Sequence, residues 1–143
     1  MIKILFICHG NICRSPLAEF VFKDMVKKAG RENEFYIESA ATSTEEIGND
    51  VYPPTKKCMT AHNVPFEPRA ARQITKKDLE DFDYIFAMEK FNIKNLESQL
   101  GPNPKFQLLL GDKDIDDPWY TGEFERTYNE IVDGCTQLLN KLC

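Results

Sequence analysis

Histidine occurs only twice and tryptophan once in this chain of 143 residues, and no apolar run is long enough to anchor it in a membrane. The opening run Ile2 to Ile7 is short, carries Lys3 and leads to no small-residue cleavage site, so a secretory leader is not expected. Paired cysteine spacing is missing too. Cys8, Cys13, Cys58, Cys135 and Cys143 are odd in number and scattered, without the paired spacing of a disulfide scaffold or a zinc framework. Reduced thiols, a cytoplasmic location and catalysis without metal or cofactor are the expectations. Basic runs are absent as well: Lys27-Lys28, Lys56-Lys57 and Lys76-Lys77 are isolated pairs in a chain of formal net charge -5, so no nucleic-acid partner is expected.

What remains is the balance of a globular domain, 42% hydrophobic and 29% charged. We expect a single, monomeric domain over residues 1–143. Ile2 to Ile7 is nearly continuous in apolar residues, as in a buried central strand of a parallel sheet. Ser15-Pro16 offers an N-cap and a first-turn proline for a helix carrying Leu17, Phe20, Val21 and Met25 on one face and stopping at Gly30. Further strands are expected at Phe35 to Ser39, Tyr84 to Met88 and Phe106 to Leu110. Helices are expected at Pro53 to His62, after a capping signal at Thr75 to Asp78, and at Lys90 to Leu100. A final amphipathic helix carries Phe124, Tyr128, Ile131, Cys135, Leu138, Leu139 and Leu142. Strands alternating with helices give an α/β class: a four-stranded parallel sheet, helices on both faces, and a ligand site at the carboxyl ends of the strands.

The loop Cys8-His9-Gly10-Asn11-Ile12-Cys13-Arg14-Ser15 falls between the first strand and the first helix. Backbone N–H groups in such a loop can form an anion-binding nest, reinforced by the helix N-terminus. Gly10 supplies conformations closed to other residues, and Asn11 tolerates the left-handed region. Arg14 can present a planar fork to two phosphate oxygens. Cys8, at the mouth of the nest, is placed to act as a thiolate nucleophile toward phosphorus. A thiolate attacking a phosphomonoester needs an acid for the leaving group, and an acidic cluster, Asp112, Asp114, Asp116 and Asp117, follows the fourth strand.

The run Ile-Cys-His-Gly-Asn-Ile-Cys-Arg-Ser-Pro resembles the signature loop of the low-molecular-weight protein tyrosine phosphatases. Ser39 to Ser43, Ala71-Arg72-Gln73 and Asp117-Pro118-Trp119-Tyr120 resemble further segments of that family. The resemblance implies that Cys8 is the nucleophile, Arg14 the phosphate clamp and Asp117 the general acid. It implies loop support from Asn11, Ser15 and Ser39. His9, Trp119 and Tyr120 would wall the pocket for a phosphorylated protein substrate, with inorganic phosphate as product. Cys13, in the same loop, is a small buried hydrophobe or a redox partner of Cys8. The chain departs from the family at Glu45, near which an aromatic residue is common, at Arg69, where many members carry histidine, and at Glu89, where aspartate is usual. Arsenate reduction would need relay cysteines, and Ile74 to Lys105 contains none. Protein arginine phosphatases share the loop but tend to carry threonine in place of Ile12. A binding module without turnover would need neither Cys8 nor Asp117.

Overall fold

A computed structural model describes residues 1–143. Four strands form one sheet in the order β2-β1-β3-β4: β1 (Ile2–Cys8), β2 (Phe35–Ala41), β3 (Tyr84–Ala87) and β4 (Phe106–Leu108). Every neighbouring pair is parallel, with Ile7 opposite Ala40 on one side and Ala87 on the other. The central place of β1 follows from its sequence, because Ile4 to Ile7 are wholly buried and only a strand covered on both faces can be apolar at successive positions.

Alternation along β1 divides the core. Ile4, Phe6 and Cys8 pack with Leu17, Phe22, Met59, Ile131 and Leu138 from α1 (Arg14–Lys28), α2 (Pro53–Ala61) and α6 (Phe124–Leu142). Leu5 and Ile7 face Ile74, Phe82, Ile85 and Leu96, beside α3 (Asp78–Asp81) and α4 (Lys90–Leu100). Phe6 meets Phe22 edge-on at 6.0 Å and Phe86 at 6.1 Å. Each such buried aromatic contributes about 1.5–3 kcal/mol relative to exposure.

Expected elements and observed ones differ mainly at their ends. β2 runs two residues further, to Ala41, while β3 and β4 stop at Ala87 and Leu108, where the chain turns toward the site. Ser15 is not the N-cap of α1. The helix begins at Arg14 after Cys13, and no side chain caps it. The hydroxyl that could have capped the helix turns back into the loop, 3.0 Å from Cys8 Sγ. One short helix was not anticipated, α5 (Pro118–Thr121), whose first turn is capped by Asp117.

β1 pairs with β2 and β3, on opposite sides, so the chain winds away from it in both directions. Ligands of open α/β sheets bind where the winding reverses, beyond the carboxyl ends of the strands. The loop after β1 lies there.

Candidate active site

Asn11 holds the loop in shape. Its φ of 61° is left-handed, which asparagine tolerates and which turns the backbone back over β1. The side chain is fully buried and all its bonding capacity is used. Nδ2 donates to Ser15 Oγ at 2.8 Å and Ser39 Oγ at 2.9 Å. Oδ1 accepts from the Arg72 backbone N–H at 3.2 Å and from the Arg69 guanidinium.

Gly10 plays a different part from the one its flexibility suggested. Its φ is not positive; a Cβ there would instead press on Glu46 Cγ at 3.3 Å, and the half-buried Glu46 side chain would have to yield by a few tenths of an ångström.

Directions in this network follow from donors and acceptors. Ser39 Oγ donates to Glu19 Oε1 at 2.6 Å, leaving its lone pairs for Asn11. Ser15 Oγ also accepts from Asn11, so its own proton is free to point at Cys8 Sγ. The Asn11 and Ser15 backbone N–H groups reach the same sulfur at 3.3 and 3.4 Å. Three donors converge on Cys8, an arrangement suited to an anionic sulfur.

Arg14 is 1% exposed. Nη1 donates to the Ile115 carbonyl at 2.8 Å, and Nη2 to Glu89 Oε1 at 3.2 Å and Asp117 Oδ2 at 3.4 Å. Nε, buried, has no protein partner. Burial alone would lower this guanidinium's pKa, but Cys8, Asp117 and Glu89 outweigh it and hold it above its ordinary value. A permanently charged fork with a spare donor has the chemistry to hold an oxyanion.

These groups line one cavity of about 120 Å³. Cys8, His9, Gly10, Ile12, Cys13 and Arg14 form its floor and side, and Asp117, Trp119 and Tyr120 face them. Trp119 and Tyr120 are 50% and 83% exposed, as rim residues would be. Trp119 leans on Tyr52, ring centres 4.6 Å apart. Glu45 and Glu46 also reach the rim, with Glu45 Oε2 3.0 Å from His9 Nε2. Asp117 Oδ1 accepts from the Trp119 N–H at 3.0 Å, which fixes the carboxylate over the cavity. Cys13 is buried in the same loop, and burial, then the neighbouring Cys8, pushes its thiol up to about 12. A larger groove of about 510 Å³ between α1 and β2 is lined by residues such as Phe20, Tyr36 and Phe66 and has no cysteine, serine or threonine in its wall.

Several supporting residues escaped the sequence reading. Glu19 is 8% exposed and held by Ser39 and by Lys23 Nζ at 2.5 Å; its trace was a carboxylate inside the apolar run Leu17 to Phe22. The Ile115 carbonyl left no trace at all, since any residue supplies one. At two of the three departures, Arg69 reaches Asn11 and Glu89 reaches Arg14, so both positions still serve the loop.

Known proteins share this architecture. Residues 3–143 match the family described as Low molecular weight phosphotyrosine protein phosphatase. The chain is 41% identical, over 97% of its length and 94% of the relative's, to the low molecular weight protein-tyrosine-phosphatase YfkJ of Bacillus subtilis. It is 40% identical to the human low molecular weight phosphotyrosine protein phosphatase, with the same coverages. The YfkJ crystal structure superposes with a TM-score of 0.94, covering 99% of this chain and 94% of that one at 40% identity. A Drosophila arginine phosphatase, DARP, superposes at 0.88 with 33% identity, covering 99% and 98% of the two chains. The chain belongs to the low molecular weight protein tyrosine phosphatase family.

Proposed function

We propose that this protein hydrolyses phosphotyrosine in protein substrates through a cysteinyl-phosphate intermediate formed on Cys8. The observation that carries the reading is the convergence of three hydrogen-bond donors on Cys8 Sγ beside a buried Arg14 whose Nε has no protein partner. Such a pocket suits both a thiolate and the oxygens of a phosphoryl group.

In the first step Sγ attacks phosphorus, an S–P bond forms as the P–O bond to the phenol breaks, and Asp117 gives its proton to the departing oxygen. Arg14 and the loop N–H groups hold the equatorial oxygens, so positioning and charge come from the chain itself. In the second step water attacks phosphorus, the Asp117 carboxylate takes its proton, and the S–P bond breaks to release phosphate and the thiolate. Asn11, Ser15 and Ser39 position the loop. His9, Trp119 and Tyr120 wall the slot, and Ile12 gives it an apolar side that suits an aryl group. No step calls for a metal or organic cofactor. The proposal extends to a monomer acting in the cytoplasm; no helix is long and apolar enough to cross a membrane.

Initial rates on phosphotyrosine, phosphoserine and phosphoarginine peptides of one sequence, with EDTA present, test the reading. The phosphotyrosine peptide should be cleaved fastest, and EDTA should not slow it. Faster cleavage of the phosphoarginine peptide would transfer the chain to the arginine phosphatases.

A further inference from the structure

Beyond the phosphate cavity, Cys58, His62 and Glu125 bring a sulfur, an imidazole nitrogen and a carboxylate oxygen within 4.8 Å of one another. Cys58 and His62 stand four residues apart at the end of α2, where one helical turn stacks side chains on the same face. Glu125 enters from the first turn of α6. Its two oxygens divide between them, Oε1 3.9 Å from Cys58 Sγ and Oε2 2.7 Å from His62 Nε2. The His62 ring lies flat against Tyr128, 3.7 Å between centres and 12° between planes, which fixes the direction in which Nε2 points.

We infer that Cys58, His62 and Glu125 form a binding site for a zinc-class divalent ion that fastens α2 to α6. Tetrahedral zinc with bonds of about 2.3 Å to sulfur and about 2.0–2.1 Å to nitrogen and oxygen places its ligand atoms roughly 3.3–3.6 Å apart. With one ligand atom from each residue, the sulfur, nitrogen and oxygen stand within 4.8 Å of one another, so the three have to draw together by up to about 1.5 Å around an ion of that size. The Glu125 side chain, 66% exposed, is free to bring one of its oxygens to the ion. A thiolate and a carboxylate balance the charge of the ion, and solvent completes the fourth position on the open side. The donor set selects the ion: sulfur and imidazole suit zinc or cobalt, whereas magnesium and calcium require a shell of oxygens. Burial, then the charge of Glu125, pushes the Cys58 thiol up to about 11. Coordination therefore releases the thiol proton to solvent, and affinity falls with pH.

The spectroscopic probe is cobalt(II), added to the Cys8→Ser protein so that the phosphate-loop thiol cannot compete. One ion per chain should give a thiolate-to-cobalt charge-transfer band that zinc bleaches by displacement. Cys8→Ser/Cys58→Ala should lose the band, and zinc should raise the Tm of Cys8→Ser but not of the double variant. Cys58 is buried, so two surface changes guard against misfolding. His62→Gln and Glu125→Gln, each in the Cys8→Ser background, should weaken cobalt binding tenfold or more. Absence of a band, its persistence in Cys8→Ser/Cys58→Ala, or equal affinity after both surface changes would each overturn the site.

Discussion

Asp116 turns its side chain to solvent and offers only its carbonyl, to Thr127 Oγ1 at 3.4 Å, whereas the Asp117 carboxylate sits over the cavity beside Arg14. A proton donor matters most for a poor leaving group, and a tyrosine phenol, of pKa about 10, is far poorer than a nitrophenol. Asp117→Ala should slow phosphotyrosine cleavage by about 10²–10⁴-fold and p-nitrophenyl phosphate cleavage much less, while Asp116→Ala should leave both near wild type. The ratio of the two effects decides, because a misfolded variant would lose both activities together. Cys13 belongs to the same scale. Its thiol shares a cavity wall with Cys8, so a Cys8 sulfenic acid formed by mild peroxide should condense with it, giving a disulfide and water. Reversible inactivation should then accompany a Cys8–Cys13 linked peptide in mass spectra of digested protein. A Cys8–Cys58 peptide in its place would leave Cys13 a packing residue.

Among the elements, α6 carries the sharpest steric demand. A Cβ on Gly134 would lie 2.7 Å from Leu109 Cγ and 3.2 Å from the tips of Leu109 and Leu110, so α6 can sit against the chain after β4 only with glycine there. Alanine would gain about 1 kcal/mol of helix propensity but overpack a buried leucine at a cost of about 1–3 kcal/mol. Gly134→Ala should lower the denaturant midpoint without changing the m-value; a raised midpoint would mean that Leu109 moves aside freely. The same helix shows what periodicity can reveal, since its apolar stripe was readable over its whole length, as were β1 and α4 with its closing Gly101. α5 was not, because four residues carry no period and Pro-Trp-Tyr-Thr reads as loop until Asp117 is seen capping it. Strand ends at Ala87 and Leu108 were unreadable for another reason: the residues beyond, Met88, Leu109 and Leu110, remain apolar because they pack into the core beneath α6 after the strand pairing has ended. The site divides in the same way. Cys8, Arg14 and the loop were local in sequence, whereas the partners of Arg14 lie 75 to 103 residues away and come together only through the topology.

At the scale of the whole molecule, titration sets both edges of the stable pH range. Asp78 is buried, which would raise its carboxyl, but Arg72 at 2.9 and 3.2 Å and the Thr75 N–H at 2.7 Å hold it below its ordinary value. A carboxylate depressed in this way stabilises the fold above its unfolded pKa of about 3.9 and loses that contribution as pH falls through the folded value. Cys13 and Cys58 work in the opposite sense: burial raises them to about 12 and about 11, so they favour the fold below the ordinary thiol value of 9.0 and cease to as pH rises through the folded values. Stability from chemical denaturation should therefore be flat near neutrality and fall at both ends. Asp78→Asn should make the acid limb shallower; an unchanged limb would assign acid unfolding to other groups. The hydrogen bond from Arg14 to the Ile115 carbonyl also spans 101 residues of chain. During synthesis at roughly 5–20 residues per second, the loop that carries the sulfur leaves the ribosome about 5–20 s before the carbonyl that holds its arginine. Every newly made copy thus passes through an interval as an exposed thiol before it becomes an enzyme, and the appearance of activity marks the arrival of the last quarter of the chain.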